Sequence, residues 1–199
     1  YQTAFLKTFY KGDFIAATMS TELTNTSKLR EFIEELKKLN IEIIKPSINK
    51  CFSDFKAIDG KIYYGLGAIK NVGLEAISNI VNERENNGRF KSFTDFIYRV
   101  NVKDINKLQL EGLIKAGVFD EFDKDRSKIL NSVPKIIQII KNLNLDKENH
   151  QTNLFNDHVN EKHEFDFEAS SPWSQKELLS EEFKSIGFYL TNHPLNEFK

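Results

Sequence analysis

Apolar residues recur at helical spacing along most of the chain. Leu29, Ile33 and Leu36 would line one face of a helix, and the same period returns after Leu74 and after Asn106. This pattern predicts a mainly α-helical fold. The predicted helices lie at residues 3–10, 13–23, 27–39, 74–81, 93–100, 106–117, 126–143 and 174–186.

Capping residues and helix breakers set the expected ends of these helices. Gly117 is expected to end the helix that starts at Asn106, and Pro134 to kink or split the helix over residues 126–143. A polar side chain that accepts a hydrogen bond from the first turn is expected at each N-terminus. The candidate N-caps are Thr26 or Ser27, Ser92 or Thr94, Asn106, Asp125, and Ser171 or Ser174.

Two stretches favour extended structure. Residues 41–46 are rich in isoleucine and stop at Pro46. Residues 55–64 alternate around Asp59-Gly60, a dipeptide typical of a tight hairpin turn. We therefore expect a small two-stranded β-hairpin beside the helices.

Residues 146–171 have few apolar side chains and no sustained period, which predicts a mobile linker. The linker contains Gln151-Thr152-Asn153-Leu154-Phe155, in which two adjacent large apolar residues stand in polar surroundings. Leu154 and Phe155 could fill a groove on a partner while Gln151 hydrogen-bonds at its rim. The alternative is a local anchor of the linker onto its own domain.

Composition limits the class of protein. The chain has 199 residues and 40% hydrophobic content, which suits one domain with a core plus an appendage. No apolar run approaches the roughly 18 residues of a membrane span, so no membrane contact is expected. The single cysteine, Cys51, excludes a disulfide within the chain and fits a reducing cytoplasm. Because Tyr1 is not an initiator methionine, we expect a piece of a longer protein.

Charge is distributed unevenly along the chain. Residues 61–115 carry nine Lys or Arg and six Asp or Glu, a net charge of +3, whereas residues 120–199 carry ten and fifteen, a net charge of −5. A weakly basic middle suits a local phosphate-contacting surface. Ordinary solvated surface charge is the simpler interpretation.

The segment Lys70-Asn71-Val72-Gly73 is a candidate phosphate site. It joins a short helical turn near residues 68–70 to the helix that starts at Leu74. Gly73 is expected to take a positive φ, which Asn71 also tolerates. Such a turn aims backbone N–H groups outward at a helix N-terminus, and Lys70 adds a positive charge. The alternative is a connection that only packs.

Several blocks of sequence resemble a known family. Residues 64–73 (YGLGAIKNVG), with Ala76 and Ile77, resemble a helix-hairpin-helix motif. A more specific series, residues 90–96 (FKSFTDF), Asn106-Lys107 and residues 110–120 (LEGLIKAGVFD), resembles the bacterial DNA polymerase III alpha-subunit family.

The ends of the chain extend the resemblance. Residues 1–7 (YQTAFLK) resemble the fingers region of that family, and residues 187–195 (GFYLTNHPL) resemble the segment ahead of its OB-fold domain. The resemblance therefore covers essentially the whole chain in the family's order. One departure is Asn71, where the family usually has glycine.

The resemblance implies a division of the chain and two kinds of binding site. The implied parts are residues 1–60, the C-terminal part of the polymerase fingers; 61–145, a helix-hairpin-helix DNA-binding module; 146–173, a linker with a clamp-binding motif; and 174–199, a helix leading to a missing OB-fold domain. Gln151, Leu154 and Phe155 fall where the family carries its internal motif for the β sliding clamp. The residues expected to contact DNA, without sequence preference, are Lys70, Asn71, Val72, Gly73, Lys103, Asn106 and Lys107.

The resemblance also implies an activity for the full-length protein. That activity is template-directed DNA synthesis, the reaction of a DNA-directed DNA polymerase (a nucleotidyltransferase), by two-metal phosphoryl transfer with Mg²⁺ in the cytoplasm. The family's catalytic aspartates lie upstream in a palm domain, and nothing in this chain matches them. We expect this fragment to hold no catalytic residue, metal or cofactor and to be inactive alone. Other replicase subunits would bind through missing regions.

Two other functions remain open from the sequence. One is a helix-hairpin-helix scaffold from a DNA-repair protein, although a cluster-bearing glycosylase would need several cysteines and only Cys51 is present. The other is a protein-interaction module that shows no salt-dependent DNA binding. Asp123 and Asp125 have the spacing of a metal-binding carboxylate pair, but Asp125 is better placed as a helix cap.

Overall fold

The computed structural model describes residues 2–101, 103–148 and 165–190. Within these residues the chain is mainly helical with one small sheet, so the predicted fold class is confirmed. The helices are α1 (Gln2–Phe9), α2 (Lys11–Thr21), α3 (Thr26–Lys38), α4 (Leu74–Asn87), α5 (Phe93–Arg99), α6 (Lys107–Lys115), α7 (Arg126–Asn131), α8 (Val133–Glu148) and α9 (Gln175–Ile186), with a 3₁₀ helix at Leu66–Ala68. The strands are β1 (Ile43–Ile44), β2 (Lys56–Ile58) and β3 (Lys61–Tyr63).

The predicted hairpin is present as β2 and β3, which pair in antiparallel fashion. Asp59 and Gly60 turn the chain with φ of 52° and 74°, because a tight hairpin turn needs positive φ at both central positions. The extended residues before Pro46 add β1, which pairs parallel to β3 with Ile43 opposite Ile62. The sheet therefore has three strands in the order β1-β3-β2, rather than the two that were predicted.

Most of the predicted caps are confirmed. Asn25 and not Thr26 or Ser27 caps α3, because the Asn25 side chain accepts a hydrogen bond from the Lys28 N–H at 3.2 Å. Asparagine is among the strongest N-cap residues. Hydrogen bonds from the first turns of α5, α6, α7 and α9 are accepted by the side chains of Ser92, Asn106, Asp125 and Ser174.

The helix predicted over residues 126–143 is split, as Pro134 suggested. The break falls at Ser132, and Pro134 occupies the first turn of α8, where a missing N–H group removes no helical hydrogen bond. Gly117 has φ of 80° and ends the α6 segment as expected. α8 continues to Glu148, past the predicted start of the linker at residue 146.

Phenylalanine rings form the centre of the core. Phe93 and Phe96 of α5 both meet Phe119 edge-on with ring centroids 4.9 Å apart, and Phe90 meets Phe96 at 5.3 Å. All four side chains are buried. Aromatic rings in these tilted or edge-on arrangements add to the stabilisation from burial itself. This cluster joins α5 to the end of α6.

α9 packs back onto the preceding helices. Lys115 of α6 contacts Glu181 of α9 with 3.0 Å between Nζ and Oε2. The backbone N–H of Lys70 donates to the Ser185 carbonyl at 2.9 Å. Glu182 is buried and accepts a hydrogen bond from the Leu190 N–H at 3.2 Å. The C-terminal helix therefore contacts the turn that precedes α4.

Candidate nucleic-acid interface

The first hairpin, residues 70–73, joins the 3₁₀ helix to α4. Asn71 has φ of 65°, whereas Gly73 is extended with φ of −75° and ψ of 135°. The prediction that Gly73 takes the positive φ is therefore wrong, and Asn71 makes the reversal. Asparagine tolerates this geometry because its short polar side chain can hydrogen-bond locally.

Gly73 is the N-cap residue of α4. Among the described residues no side chain caps this helix, so the amides of its first turn have no intrahelical partner. Glycine adds no Cβ beside those amides, which leaves them open to an anion. The positive end of the helix dipole favours a phosphate there. The negative charge of Glu75 in the same turn opposes phosphate binding.

The second hairpin, described at residues 101 and 103–106, lies between α5 and α6. The Asn101 side-chain oxygen accepts from the Lys103 N–H at 2.9 Å. Asn106 and Gln109 form a capping box, in which each side-chain oxygen accepts the backbone N–H of the other residue at 3.0 and 2.8 Å. The Asn106 oxygen is thus used to cap α6.

The two hairpins meet at Gly73 and Gln109. The Gln109 Nε2 atom lies 3.4 Å from the position that a Cβ would take on Gly73. The Asn79 amide of α4 also donates to the Asp104 carboxylate at 2.7 Å. These contacts set the N-termini of α4 and α6 side by side around a cleft of about 550 Å³. The residues lining it are Gly73, Glu75, Ala76, Asn79, Asn101, Lys103, Asp104 and Gln109.

Two of the predicted DNA contacts have other neighbours. Lys70 faces α9, because its N–H donates to Ser185 and its Nζ lies 3.3 Å from the position of a Cβ on Gly187. Val72 is buried, and its N–H donates to the Ile69 carbonyl at 3.2 Å. Neither residue lines the cleft between the hairpins.

Lys103 and Lys107 are exposed at the second hairpin. Lys107 lies 3.9 Å from Glu111 while its side chain remains 63% exposed. A pair this exposed holds the lysine weakly. These two lysines therefore supply positive charge close to the cleft.

Gln151, Leu154 and Phe155 lie outside the described residues, so the predicted clamp motif stays a prediction. Its described flanks are the end of α8 at Glu148 and a segment at residues 165–171 that packs against the domain.

The weaker candidates for chemistry have ordinary structural roles. Asp125 caps α7, and Asp123 pairs with Lys128 at 2.5 Å. Burial raises the pKa of the Asp123 carboxyl, but the hydrogen bonds from Lys128 and from the Asp125 N–H, together with the Lys128 charge, hold the pKa below its usual value. Burial raises the pKa of the Cys51 thiol to about 11, which keeps the sulfur protonated and unreactive. Across the described ranges, no group of three or more His, Cys, Asp or Glu is arranged to hold a metal ion.

Comparison with known proteins shows which family and which relatives this chain is similar to. A family model described as a helix-hairpin-helix motif matches residues 40–129. DNA polymerase III subunit alpha of Borreliella burgdorferi is 39% identical over 202 residues, covering the whole chain and 18% of the relative. The subunits of Caulobacter vibrioides and Campylobacter jejuni are 37% and 36% identical, covering 99% and 100% of the chain and 17% of each relative.

The chain belongs to the DNA polymerase III alpha-subunit family. It spans about 17–18% of the length of these relatives, and the helix-hairpin-helix match contains both hairpins. The predicted recognition is thereby confirmed. Among the described residues, no helix has the length and apolarity needed to cross a bilayer.

The geometry explains the departure at Asn71 from the DNA polymerase III alpha pattern. The position has φ of 65°, a region that glycine enters freely and asparagine enters more easily than other residues with a side chain. Gln109 is a residue of the cleft that sequence reasoning missed. The sequence feature that could have identified Gln109 is its spacing from Asn106. Asn106-x-x-Gln109 ahead of an apolar run is typical of a capping box.

Proposed function

We propose that this chain holds DNA through phosphate contacts at its two hairpins. The observation that supports this most is the meeting of the α4 and α6 N-termini at Gly73 and Gln109. The α4 N-terminus, which no side chain of the described residues caps, presents N–H groups to a phosphate, and both helices turn positive dipole ends to the same edge. Lys103 and Lys107 add charge at the same edge. Such contacts position a nucleic acid and do not read its bases.

Salt-dependent binding of duplex DNA tests the proposal. Fluorescence anisotropy at several salt concentrations should give weak binding whose log affinity falls with log salt by about 0.9 per phosphate contact. Lys103→Glu/Lys107→Glu should weaken binding equally for unrelated sequences. Lys37→Glu/Lys38→Glu on α3 reverses the same number of charges away from the hairpins and serves as the control. Absence of wild-type binding, or equal losses in both variants, would reject these hairpins as the site.

The same chain is proposed to bind a β sliding clamp through Gln151, Leu154 and Phe155. The support is the motif Gln-x-x-Leu-Phe and its position in a chain that aligns along its whole length with DNA polymerase III alpha subunits. Leu154 and Phe155 act as apolar anchors, and truncating either to alanine should cost on the order of 2 kcal/mol of binding free energy. Gln151→Ala should cost less because its hydrogen bond replaces one to water.

Calorimetric titration of the chain into purified clamp tests this second contact. Leu154→Ala/Phe155→Ala should abolish measurable binding without lowering the melting temperature, whereas Phe183→Ala on α9 removes an exposed ring elsewhere and should leave binding unchanged. Unchanged clamp affinity in the Leu154→Ala/Phe155→Ala variant, or a clear loss of melting temperature, would instead mean that the pair anchors the chain's own fold.

The full-length protein is proposed to be a replicative DNA-directed DNA polymerase of the cytoplasm. The whole-chain similarity to DNA polymerase III subunit alpha supports this. Mg²⁺ and the catalytic aspartates would belong to a palm domain elsewhere in that protein, and other replicase subunits would bind outside this chain. The test is a primer-extension assay, in which the full-length protein extends a primer and this chain alone does not.

A further inference from the structure

Residues 165–171, called here the anchor segment, are attached to the domain by backbone hydrogen bonds. The Phe165 N–H donates to the Thr94 hydroxyl at 2.8 Å, and the Glu168 N–H donates to the Ser132 hydroxyl at 2.8 Å. The two acceptors lie on α5 and at the junction of α7 and α8. The anchor segment is thus held at two points, by the side chains of Thr94 and Ser132.

Aromatic contacts hold the same segment. The Phe165 and Phe167 rings are 4.8 Å apart, and Phe167 lies 5.5 Å from Phe93 of the core. Lys128 Nζ is 5.0 Å from the Phe167 ring centroid, and Lys135 Nζ is 5.1 Å from that of Phe165. A lysine ammonium therefore lies over each ring, and each ring also packs against apolar side chains. The cation–π contact adds an attraction beyond that of burial.

Charge and polar contacts complete the attachment. Lys135 Nζ donates to the Asp166 carbonyl at 2.9 Å. The Ser127 hydroxyl lies 2.8 Å from that of Ser170 and 3.0 Å from the Ser171 carbonyl. Lys128 and Lys135 lie beside a segment that carries Asp166 and Glu168, and Lys128 also pairs with Asp123. The contacts of the anchor segment therefore run along its length, from Phe165 to Ser171.

The anchor segment occupies a defined place in the chain. Residues 149–164, which include Gln151 to Phe155, connect it to the end of α8 at Glu148. The connection therefore starts and ends on the domain that carries the hairpins. Phe155 is ten residues from Phe165, a separation that spans at most about 36 Å.

We propose that the anchor segment fixes the downstream end of this connection and so sets where the clamp motif stands relative to the hairpins. This inference rests on the proposed binding of DNA and clamp. Fixing both ends of a connection confines its middle to a smaller volume, which raises the effective concentration of the motif near a clamp already on the same DNA. A free clamp can approach the motif from any direction, so the anchor segment should affect only the complex of this chain with both clamp and DNA.

The experiment compares two affinities for each variant. Binding is measured to free clamp and to clamp loaded on primed DNA, with wild type, Phe165→Ala/Phe167→Ala, and Phe165→Leu/Phe167→Leu. The alanine variant should bind free clamp within about twofold of wild type but lose roughly threefold to tenfold toward loaded clamp. The leucine variant keeps apolar burial and should recover part of that loss. Phe183→Ala, an exposed ring on α9, is the control.

Each outcome decides the inference. Wild-type affinity of the alanine variant for loaded clamp would overturn it, as would an equal loss toward free clamp. Should the alanine variant fail to fold, Thr94→Val/Ser132→Ala removes the two backbone attachments and must show the same split between free and loaded clamp. A wild-type chain that binds neither free clamp nor DNA would reject the proposed function itself, which is a different result from the failure of the anchor.

Discussion

The Gln109 side-chain nitrogen lies 3.4 Å from the place that a Cβ would occupy on Gly73. The oxygen of the same amide accepts the Asn106 N–H at 2.8 Å. One side chain therefore caps α6 with its oxygen and turns its nitrogen toward the open N-terminus of α4. Under the proposed DNA contact, this amide nitrogen would be a further donor beside the N–H groups of α4.

Gln109→Glu should separate capping from DNA contact. Glutamate keeps an oxygen for the Asn106 N–H and is favoured near a helix N-terminus, so the melting temperature should stay close to wild type. It replaces the donor facing Gly73 with a negative charge, so DNA affinity should fall for every sequence. Gln109→Ala should lose the cap as well, at about 0.5–1 kcal/mol. Thermal melts and anisotropy check both, and undiminished DNA binding by Gln109→Glu would contradict this role.

Asn71 and Gly73 should respond oppositely to substitution. Asn71→Val places a β-branched residue at φ of 65° and should destabilise the fold by about 1–2 kcal/mol, whereas Asn71→Gly should be neutral or slightly stabilising. Gly73→Ala keeps an allowed extended geometry and should cost less than about 1 kcal/mol, while crowding the Gln109 amide. Urea denaturation measures each change. A larger cost at Gly73 than for Asn71→Val would contradict the assignment of the reversal to Asn71.

A feature could be predicted from the sequence when the residues that cause it are close neighbours along the chain. Ser92 and Asn106 were identifiable as caps because capping involves residues within one turn. The sequence could not show whether Asn71 or Gly73 takes the positive φ. Both residues tolerate that conformation, and tertiary packing decides between them. Lys70 was assigned to DNA from its place beside the hairpin, yet its N–H is bonded to Ser185, a contact far along the chain that no local pattern reveals.

The same reasoning applies to the sheet and the linker. The turn at Asp59-Gly60 was predicted from two residues, but the pairing of β1 with β3 depends on a parallel contact between distant segments. The linker predicted from residue 146 onward was polar in composition. Phe165 and Phe167 nevertheless pack against the core, because α5 and α8 present a groove that only the folded chain creates.

Arg126 should be among the most destabilising residues to remove. Its guanidinium donates two hydrogen bonds to Asp120, at 2.7 and 2.5 Å, and one to the Lys115 carbonyl at 2.9 Å, while it is only 7% exposed. It also lies 3.8 Å from the buried Glu182 carboxylate. Arg126→Ala leaves that buried charge without this cation and should cost about 3–5 kcal/mol.

A double-mutant cycle in urea checks the Arg126 prediction. Because Glu182→Gln removes the carboxylate charge, Arg126→Ala should cost less in that background than in wild type. Equal costs in the two backgrounds would show that Arg126 acts through Asp120 and Lys115 alone. Arg126→Lys should fall between wild type and alanine, since an ammonium cannot reproduce the paired hydrogen bonds.

Acid should weaken the packing of α9 through Glu181. Burial raises the pKa of the Glu181 carboxyl, but the hydrogen bonds and positive charges of Lys184 and Lys115 together hold the pKa below the ordinary 4.5. A carboxyl whose pKa is lowered by folding contributes stability above its unfolded pKa, and that contribution is lost as the pH falls through the folded value. The melting temperature should therefore decline below about pH 4.5, and Glu181→Gln should decline less because it has no carboxylate to protonate. Melting curves for both proteins between neutral and acidic pH test this, and parallel curves would mean that the pairs of Glu181 with Lys184 and Lys115 contribute nothing to stability.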